Sequence, residues 1–399
     1  MTHPVLIVGA GIGGLALAQV LTRHGVAVNL IEKAASPRAV GAGLILSGNA
    51  LRVLDRLGLA EAAHAAGQVL SGAQLTTAAG RPLQTLSYAA SGGAVGVHRA
   101  ALQSLLSRDL HPRIQFGTTV RALHQHPRGV DVTFNSGAVQ TFHAVIGADG
   151  LHSSVRHLTF GDVPRRYAGY TSWRFVVPVP GPAHATELWG RGCRLGLVPI
   201  GLRQTYGYVT ANAPERPPGP PQAHGTMAEM QAHCAGFGGP APALLAHLHA
   251  DTPVIRTDIH EVRLPQWGQG RVTLLGDAAH AMTPNLGQGA AMALEDAWVL
   301  GQQLITTPDV PAGLARYEAL RRPRVNGVQA SSRLLGRAGQ LEQGALRAVR
   351  DLGMRLVPPG LAQQSSRRLF QVDLDAGLPG VSPAERPGRR DDRSAGTGS

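Results

Sequence analysis

A glycine-rich turn, GAGIGG, follows directly on an apolar run at residues 5–8. A short run of wholly apolar residues is typical of a strand buried on both faces of a parallel sheet. In the pattern G-x-G-x-x-G, Gly9 permits the tight turn, Gly11 lets the backbone approach a pyrophosphate, and Gly14 allows close packing of the following helix. The helix N-terminus then offers free N–H groups to the phosphates. The start of the chain therefore predicts a dinucleotide-binding unit.

A second apolar run, residues 26–31, ends at an acidic residue, Glu32. A carboxylate at the end of the second strand of such a unit can accept hydrogen bonds from an adenosine ribose. Lys33, the only lysine of the chain, follows it and is a further candidate cofactor contact. These residues do not distinguish FAD from NAD, and a tight structural turn without a ligand is the competing interpretation of the glycines.

Two later segments place an aspartate just after an apolar run. Asp149 follows residues 144–147 and precedes Arg156. Asp277 follows residues 272–275. Carboxylates at the carboxyl ends of parallel strands face the ligand crevice of an open sheet, whereas the alternative is that each aspartate caps the helix that follows it. The presence of both beside the glycine turn favours a shared nucleotide site.

The strand–turn–helix segments bracket regions of alternating short strands, which predicts an α/β fold. We expect a discontinuous Rossmann-like nucleotide-binding domain with an inserted, mostly antiparallel β-sheet substrate domain and a C-terminal helical segment. The expected division is a nucleotide-binding domain of residues 1–70, 98–160 and 265–320, a substrate domain of 71–97 and 161–264, a helical segment of 321–381 and a disordered tail of 382–399.

Basic residues outnumber acidic ones, 37 to 25, which gives a formal net charge of +12. Seven arginines fall in residues 321–350, but no aromatic residue lies among them to stack on bases. Nucleic-acid binding is therefore not expected. The arginines of this segment are expected to form a solvated helix face.

The chain has two cysteines, Cys193 and Cys234, which cannot form a disulfide framework or a four-cysteine zinc site. No metal site is expected. The low cysteine count favours a reducing compartment, and the lack of an apolar run of membrane length favours a cytoplasmic location. The oligomeric state, monomer or homodimer, stays open.

Three stretches together resemble the fingerprints of a known family: GAGIGG with Glu32, GADGLHSSVR, and GDAAHAMTPNLGQGAAMALEDA. They are similar to those of FAD-dependent aromatic-ring monooxygenases of the para-hydroxybenzoate and salicylate hydroxylase type, the group A flavoprotein monooxygenases. The resemblance covers most of residues 1–325. It implies an extended FAD with Glu32 on the adenosine ribose and with Arg99 and Asp277 on the pyrophosphate and ribityl side.

The resemblance also implies roles for the later loops. The segment around Asp149 and Arg156 would serve both FAD and the nicotinamide cofactor. The backbone from Gly287 to Gly289 would lie near the isoalloxazine. Pro284 and Gly287 are the candidates for the flavin's reactive edge, and no catalytic base is assigned.

The implied reaction is monooxygenation by a single-component enzyme. NAD(P)H reduces FAD and then leaves, because the chain has no second strand–GxGxxG–helix unit to hold it. Reduced FAD takes O2 to form a C4a-hydroperoxide, which transfers one oxygen atom to a small aromatic or heteroaromatic ring. The protein supplies positioning, electrostatics and exclusion of water. The ring, the position hydroxylated and the choice of NADH or NADPH stay open.

Candidate substrate contacts come from the predicted antiparallel sheet and from one flavin-facing loop. Tyr206 and Tyr208 share a face of their strand by alternation. Packing within the sheet is the competing interpretation for the aromatic residues. The candidates are Ser47, Trp173, Arg174, Tyr206 and Tyr208.

Two other functions stay open. One is a flavin-dependent reductase or epoxidase of an isoprenoid-type lipid; the basic charge would favour a membrane surface, but the sequence shows no amphipathic anchor with bulky apolar residues. The other is a non-catalytic flavin-binding regulatory protein, which would show no substrate-stimulated oxidation of NAD(P)H. A short-chain dehydrogenase is excluded, because Lys33 is the only lysine and cannot complete a Tyr-x-x-x-Lys pair.

Overall fold

The computed structural model describes residues 3–37, 42–110, 113–201, 203–217 and 226–376. The predicted disordered tail, residues 382–399, lies outside this part of the chain. Within it, the strands form two large sheets and two three-stranded sheets.

The strands lie between residues 5 and 274. In chain order they are β1 (Val5–Val8), β2 (Val28–Glu32), β3 (Gly43–Ser47), β4 (Gly67–Val69), β5 (Gly72–Thr77), β6 (Pro82–Ser87), β7 (Ala94–His98), β8 (Ile114–Phe116), β9 (Val120–His126), β10 (Gly129–Phe134), β11 (Val139–Phe142), β12 (Ala144–Gly147), β13 (Arg166–Val177), β14 (Ala185–Trp189), β15 (Cys193–Pro199), β16 (Thr205–Asn212), β17 (Ile255–Glu261), β18 (Gly268–Gln269) and β19 (Val272–Leu274).

The helices connect these strands and then dominate the C-terminal part of the chain. They are α1 (Ile12–Arg23), α2 (Gly48–Arg56), α3 (Ala60–Ala66), α4 (Arg99–Ser107), α5 (Ser154–Phe160), α6 (Thr226–Cys234), α7 (Ala241–Leu245), α8 (Asp277–His280), α9 (Gly289–Thr306), α10 (Val310–Gly339), α11 (Gly344–Leu356) and α12 (Pro359–Phe370).

Six strands form an open sheet in the order β18-β19-β12-β1-β2-β8. Strand β1 pairs in parallel with β2 and β12, and β12 pairs in parallel with β19. The registers align Val8, Gly147 and Leu274, so the loops after β1, β12 and β19 leave the sheet at the same edge. The carboxyl ends of parallel strands define the crevice of such a sheet. The predicted Rossmann-like sheet is confirmed.

Seven strands form the second large sheet, in the order β17-β13-β16-β15-β14-β5-β6. Its pairs are antiparallel except that of β14 with β5, which is parallel. Strands β5 and β6 precede β12 in the chain, and the other five lie between β12 and β19. This sheet is therefore built from two insertions in the first domain, and the predicted inserted, mostly antiparallel sheet is confirmed.

The two faces of the second large sheet are covered differently. Trp173 and Phe175 of β13 are fully buried and share an apolar cluster with Met230 of α6 and Leu244 of α7. Tyr206 of β16 belongs to a separate cluster on the other face. Alternation along neighbouring strands produces this separation. One face closes on helices, which leaves the other to face the first domain.

A small sheet, β3-β7-β4, joins the two large ones. A Cβ on Gly43 would lie 2.4 Å from the Tyr206 side chain, and one on Gly96 would lie 2.0 Å from the carbonyl oxygen of Pro199. Only glycine permits these close approaches. The expected division places residues 71–97 in the substrate domain, whereas β7 pairs with β3 and β4. The division itself stays a prediction.

The arginines of residues 321–350 do not form the solvated face that the composition predicts. Arg321 of α10 is buried, with Nη1 2.5 Å from Glu295 Oε2 and Nε 2.7 Å from Asp296 Oδ1 on α9. Buried carboxylates are strongly destabilising without a counter-charge. Because those carboxylates belong to another helix, the composition of α10 alone could not show that its arginine faces inward.

Candidate active site

The glycine turn after β1 is packed too closely to hold side chains. Gly9 has φ +109°, and a Cβ there would lie 2.5 Å from the carbonyl oxygen of Ala148. A Cβ on Gly14 would lie 2.0 Å from the Gly9 oxygen. At Gly11, by contrast, nothing lies within 4 Å of such a Cβ. The turn therefore has an open backbone at the position predicted to approach a pyrophosphate.

Gly13 has a role that the sequence motif did not assign. A Cβ there would lie 2.3 Å from the Leu275 side chain and 3.3 Å from the Cβ of Ala293. Helix α1 thus lies directly against the end of β19 and the side of α9. Together with the contact between Gly9 and Ala148, this packing brings the three motif loops to one place.

Glu32 lies at the rim of the glycine turn. Its Oε2 accepts a hydrogen bond from the backbone N–H of Ala10 at 3.0 Å, and its Oε1 accepts one from Ala34 at 2.9 Å. These bonds fix the carboxylate beside the turn, and its contact with an adenosine ribose stays a prediction. Lys33 is exposed beside it.

Asp149 and Arg156 hold the second motif loop together. The Asp149 carboxylate accepts hydrogen bonds from the backbone N–H of Ser154 at 2.7 Å and from the hydroxyl of Ser153, so it caps α5. Arg156 is buried and donates to the carbonyl oxygen of Ala278 at 2.8 Å. The helix-cap interpretation thus describes the Asp149 side chain, and direct contact of either residue with FAD stays a prediction.

The third motif loop is exposed at some of its positions. Gly276 has φ +61°, and Asp277 is exposed and forms no hydrogen bond or ion pair with the described residues. Pro284 begins an exposed 3-10 turn. Gly287 has φ +63° with nothing within 4 Å of a Cβ, and Gly289 begins α9. Other polar side chains of the loop are buried, so it is open to a ligand only at these exposed positions.

These residues fit an extended FAD. The glycine turn offers the free N–H groups of a helix N-terminus to the phosphates. Asp277 offers an exposed carboxylate to sugar hydroxyls. Gln103 of α4 donates to the carbonyl oxygen of Ala10 at 3.0 Å, which holds the start of α4, and with it the exposed Arg99, beside the turn. The three predicted segments therefore surround one crevice.

A buried polar network that the sequence did not predict lies behind this crevice. Ser47 Oγ donates to Asn49 Oδ1 at 3.0 Å and accepts from Gln288 Nε2 at 2.9 Å. Asn49 Nδ2 in turn donates to Glu295 Oε1 at 2.7 Å. The structure places Ser47, a candidate substrate contact, inside this network with its hydroxyl used as both donor and acceptor.

The far end of the network is a cluster of buried charges. Burial alone would raise the pKa of Glu295, but Arg321 and Arg324 hold it below its usual value. Burial likewise opposes ionisation of Asp296, and His280 and Arg321 lower its pKa. His280 Nε2 lies 2.6 Å from Asp296 Oδ2. These contacts fix α9 and α10 behind the third motif loop.

Tyr206 and Tyr208 lie side by side on the face of the second sheet that is turned toward the first domain, with ring centroids 5.7 Å apart. Burial raises the pKa of Tyr206, and the nearby Arg174 opposes that effect. Arg174 Nη1 donates to Thr257 Oγ1 at 2.7 Å. The structure thus brings the tyrosines together with Arg174 and leaves Trp173 in the core behind them.

Three polar residues near Tyr208 were missing from the sequence prediction. Arg194 is buried, with Nη1 3.2 Å from Glu187 Oε1 and Nη2 2.6 Å from Asn285 Oδ1. Burial and the Glu187 carboxylate raise the pKa of Tyr208 well above its usual value. This set joins the second sheet to the turn after Pro284.

The sequence does contain a signal for two of these residues. Glu187 is the single charged residue of β14, and Arg194 is the single charged residue of β15. A charge within an otherwise apolar strand is stable in the interior only with a partner. Pairing the lone charges of adjacent strands would have identified them.

The fold and the site define a flavin-dependent monooxygenase of the aromatic-hydroxylase type. Comparison with known sequences agrees: the family described as FAD binding domain matches residues 2–175 and 246–332. The chain belongs to this family of FAD-dependent aromatic hydroxylases.

Relatives of known name cover nearly the whole chain. The aurachin C monooxygenase/isomerase of Stigmatella aurantiaca is 38% identical, over 92% of this chain and 97% of the relative. The 2-heptyl-3-hydroxy-4(1H)-quinolone synthase of Pseudomonas aeruginosa is 35% identical over the same shares. The crystal structure of Klebsiella pneumoniae HpxO with FAD and uric acid is 28% identical, with a TM-score of 0.85, over 92% of this chain and 97% of that one.

The main interpretation of the sequence is therefore confirmed. The protein is an FAD-dependent monooxygenase that uses NAD(P)H to hydroxylate an aromatic or heteroaromatic ring. In the part of the chain that the structure describes, no helix has the length and apolarity to cross a bilayer.

Proposed function

We propose that this enzyme hydroxylates a bicyclic nitrogen heterocycle of the 4(1H)-quinolone class, at the ring carbon beside the carbonyl, with NADPH and O2. The observation that carries the proposal is the similarity to the second of the relatives named above, at 35% identity over 92% of the chain. The name of the second describes a product with a hydroxyl on ring carbon 3. Relatives named for urate and for an aminohydroxybenzoate are less similar, at 32% and 33% identity over 82% and 96% of this chain.

The chemistry of such a ring suits the polar set beside Tyr208. Loss of the ring N–H proton concentrates electron density on carbon 3, the atom that must attack an electrophilic oxygen. Glu187 is the anionic group nearest Tyr208 in this set and accepts that proton, directly or through the tyrosine hydroxyl. The rings of Tyr206 and Tyr208 offer a flat aromatic surface for the heterocycle.

Arg194 acts in this proposal as a positioning residue. It is buried and bonds both Glu187 and Asn285, so it orients the carboxylate relative to the turn beside the flavin. Its positive charge also favours the deprotonated substrate. FAD bound in the crevice and reduced by NAD(P)H supplies the activated oxygen. The protein residues supply proton acceptance, orientation and a surface shielded from water.

A cluster of basic groups supports NADPH as the reductant. Burial, Arg165 and Lys33 lower the pKa of His152. His152 lies in the second motif loop, which the resemblance assigns to both FAD and the nicotinamide cofactor. Crowded cations at the edge of the adenosine end of the crevice favour a dianionic ligand group. The 2′-phosphate, which NADPH has and NADH lacks, is such a group.

The proposal is tested with purified holoenzyme and three substrates: 2-heptyl-4(1H)-quinolone, urate and 3-amino-4-hydroxybenzoate. Substrate-stimulated NADPH oxidation and the mass of the product are measured for each. We expect kcat/KM for the quinolone to exceed the other two by about 100-fold or more, because urate and the benzoate carry their polar groups in a different arrangement and would leave buried polar groups of the site unpaired. Faster turnover of urate or the benzoate would overturn the quinolone assignment but not the hydroxylase assignment.

A further inference from the structure

Large apolar side chains are exposed mainly in one part of the molecule. Of nine such residues in the described chain, seven lie between residues 334 and 361. Four of them belong to α11, one follows it directly, and one each belongs to α10 and α12. The seven, with the exposed fractions of their side chains, are Leu334 (70%), Leu346 (50%), Val349 (69%), Leu352 (58%), Leu356 (70%), Val357 (40%) and Leu361 (57%).

Helix α11 is amphipathic with its apolar face turned outward. At 3.6 residues per turn, its four exposed aliphatic residues fall within about one third of the helix circumference. The residues of the opposite side are the ones packed against the protein: Arg347, Arg350, Asp351 and Met354 are the partly buried positions of α11.

The contacts of Arg350 fix this orientation. Its guanidinium lies 4.9 Å from the centroid of the Trp189 ring, donates to the carbonyl oxygen of Ala338 at 3.1 Å and pairs with Asp351 at 2.7 Å. The polar side of α11 is thus used for packing within the protein. A helix of a globular protein normally buries its apolar stripe against the core. The reversed arrangement points to a partner for the apolar side.

This arrangement corrects the expectation from the sequence that no amphipathic anchor with bulky apolar residues is present. The periodicity of residues 344–356 is that of an ordinary surface helix, for which the apolar side is assumed to face inward. Only the packing of Arg350 on Trp189 shows the reverse.

We propose that the outward face of α11 docks on an anionic lipid surface. Exposed arginines follow the apolar stripe, at Arg355 on α11 and at Arg367 and Arg368 on α12. Aliphatic residues on one side with basic residues at its border are the composition of helices that lie in the plane of a membrane interface. Anionic lipid headgroups attract such arginines.

The charges disfavour other occupants of the same face. In a symmetric contact between two copies, the same patch meets itself, so the arginines would approach arginines of the second chain. The segment 377–399 holds only two bulky aliphatic residues, Leu378 and Val381, and its four arginines and three acidic residues make it strongly polar. Such a segment offers little apolar surface to cover the four aliphatic residues of α11. This inference concerns where the enzyme works and does not rest on the quinolone assignment.

The test is flotation of the FAD-loaded full-length protein with vesicles. One vesicle preparation is phosphatidylcholine alone and the other is phosphatidylcholine mixed with phosphatidylglycerol. We expect binding to the mixed vesicles and weaker binding to the neutral ones. The double variant Val349→Glu/Leu352→Glu lowers the partition coefficient by about tenfold or more, because each exposed aliphatic side chain contributes to insertion. The matched control Val139→Glu changes an equally exposed valine on β11 and leaves binding unaltered.

A charge variant and a measure of oligomeric state complete the test. Arg355→Gln alone weakens binding to anionic vesicles by about fivefold, and has no effect on neutral ones. Retention of FAD and of the melting temperature shows that each variant is folded. No binding of the wild-type protein to anionic vesicles overturns the proposal. A dimer in light scattering that the Val349→Glu/Leu352→Glu variant abolishes, without vesicle binding, assigns the face to a second copy instead.

Discussion

Arg194 of β15 donates a hydrogen bond to Asn285, with 2.6 Å between Nη2 and Oδ1. This bond joins the sheet that carries the two tyrosines to the turn that follows Pro284. Asn285 also donates to the carbonyl oxygen of Ser332 on α10 at 2.7 Å. The sheet face that carries the two tyrosines and the turn after Pro284 are thus held in fixed relation by one amide side chain.

Replacing Asn285 by alanine removes the acceptor for Arg194 and leaves a buried guanidinium short of one partner. A hydrogen bond to a charged group contributes about 1.5–3 kcal/mol. We therefore expect kcat/KM for the aromatic substrate to fall by about tenfold or more, with FAD content unchanged. Steady-state kinetics and the flavin spectrum measure both. Asn135→Ala, in an exposed turn between β10 and β11, is the control and retains full activity; equal losses in both variants would contradict the role given to Asn285.

Replacing Glu187 by glutamine lowers the pKa of Tyr208. Burial and the negative carboxylate both disfavour the tyrosinate and raise that pKa, so loss of the negative charge shifts the titration toward lower pH. The tyrosinate absorbance of the folded protein, followed as pH is raised, measures the shift. Glu229→Gln, which changes a carboxylate paired with Arg216 at the surface, leaves the titration of Tyr208 in place. An unchanged midpoint in Glu187→Gln would remove Glu187 from the tyrosine's surroundings.

The buried charge cluster between α9 and α10 predicts a large stability difference between neighbouring arginines. Arg321→Ala leaves Glu295 and Asp296 without their shared partner and lowers the free energy of unfolding by about 3–5 kcal/mol. Arg322→Ala removes only a partly exposed pair with Glu318 and costs about 1 kcal/mol or less. Denaturant unfolding of both variants measures the difference. Equal losses would mean that the cluster does not stabilise the fold.

The same cluster gives stability a defined pH dependence. The pKa values of Glu295 and Asp296 are lower in the folded protein than in the unfolded chain. Groups of this kind stabilise the fold above their unfolded pKa, and that contribution is lost as pH falls through the folded value. As pH is lowered through the acid range, the free energy of unfolding should therefore fall less steeply for Arg321→Ala than for the wild type. A steeper acid loss in the variant would contradict this origin.

Alanine substitutions at Gly9 and at a matched glycine, Gly137, test whether the turn after β1 lines the FAD crevice. Gly9 and Gly137 both have positive φ, +109° and +88°, so alanine carries a backbone strain of roughly 1–2 kcal/mol at either position. Only at Gly9 does the new Cβ also meet backbone, at 2.5 Å from Ala148 O. We expect FAD affinity to fall about tenfold or more in Gly9→Ala, equal to about 1.4 kcal/mol, and to be retained in Gly137→Ala. Titration of apoprotein with FAD measures both, and equal affinities would contradict the crevice.

Substitution of Lys33 tests whether the enzyme prefers NADPH to NADH. Lys33→Glu places a negative charge beside His152 and repels a 2′-phosphate, so KM for NADPH should rise by about tenfold while KM for NADH stays nearly constant. Arg113→Glu, a basic residue exposed before β8, is the control for net charge. If the two reductants respond alike to Lys33→Glu, the cluster does not bind the phosphate.

Local sequence patterns were sufficient to predict the sheet edge that forms the crevice. The strand runs, the glycine turn and the acidic residues after strands gave the parallel sheet and its shared edge, because each feature acts within a few residues of itself. The side chains of Asp149 and Arg156 show the limit of this reasoning. The bond of Asp149 to Ser154 is local and matches the helix-cap alternative, whereas the bond of Arg156 to Ala278 depends on how α5 meets the turn after β19, which spacing does not specify.

The residues of the proposed substrate wall are brought together by contacts between distant segments. The bonds of Arg194 to Asn285 and of Asn49 to Glu295 join residues 91 and 246 positions apart. Alternation placed Tyr206 with Tyr208 but could not tell that α6 and α7 cover the face of Trp173. The periodicity of α11 likewise distinguishes an apolar from a polar side, but it does not show which of the two is buried.

The central claim is that this chain holds FAD and transfers one atom of dioxygen to an aromatic ring. The most direct measurement is turnover of the purified holoenzyme under heavy-isotope dioxygen, with mass spectrometry of the product. We expect one heavy oxygen atom in each product molecule and one NADPH consumed for it. Product oxygen derived from water, or NADPH oxidation that no aromatic compound stimulates, would contradict it.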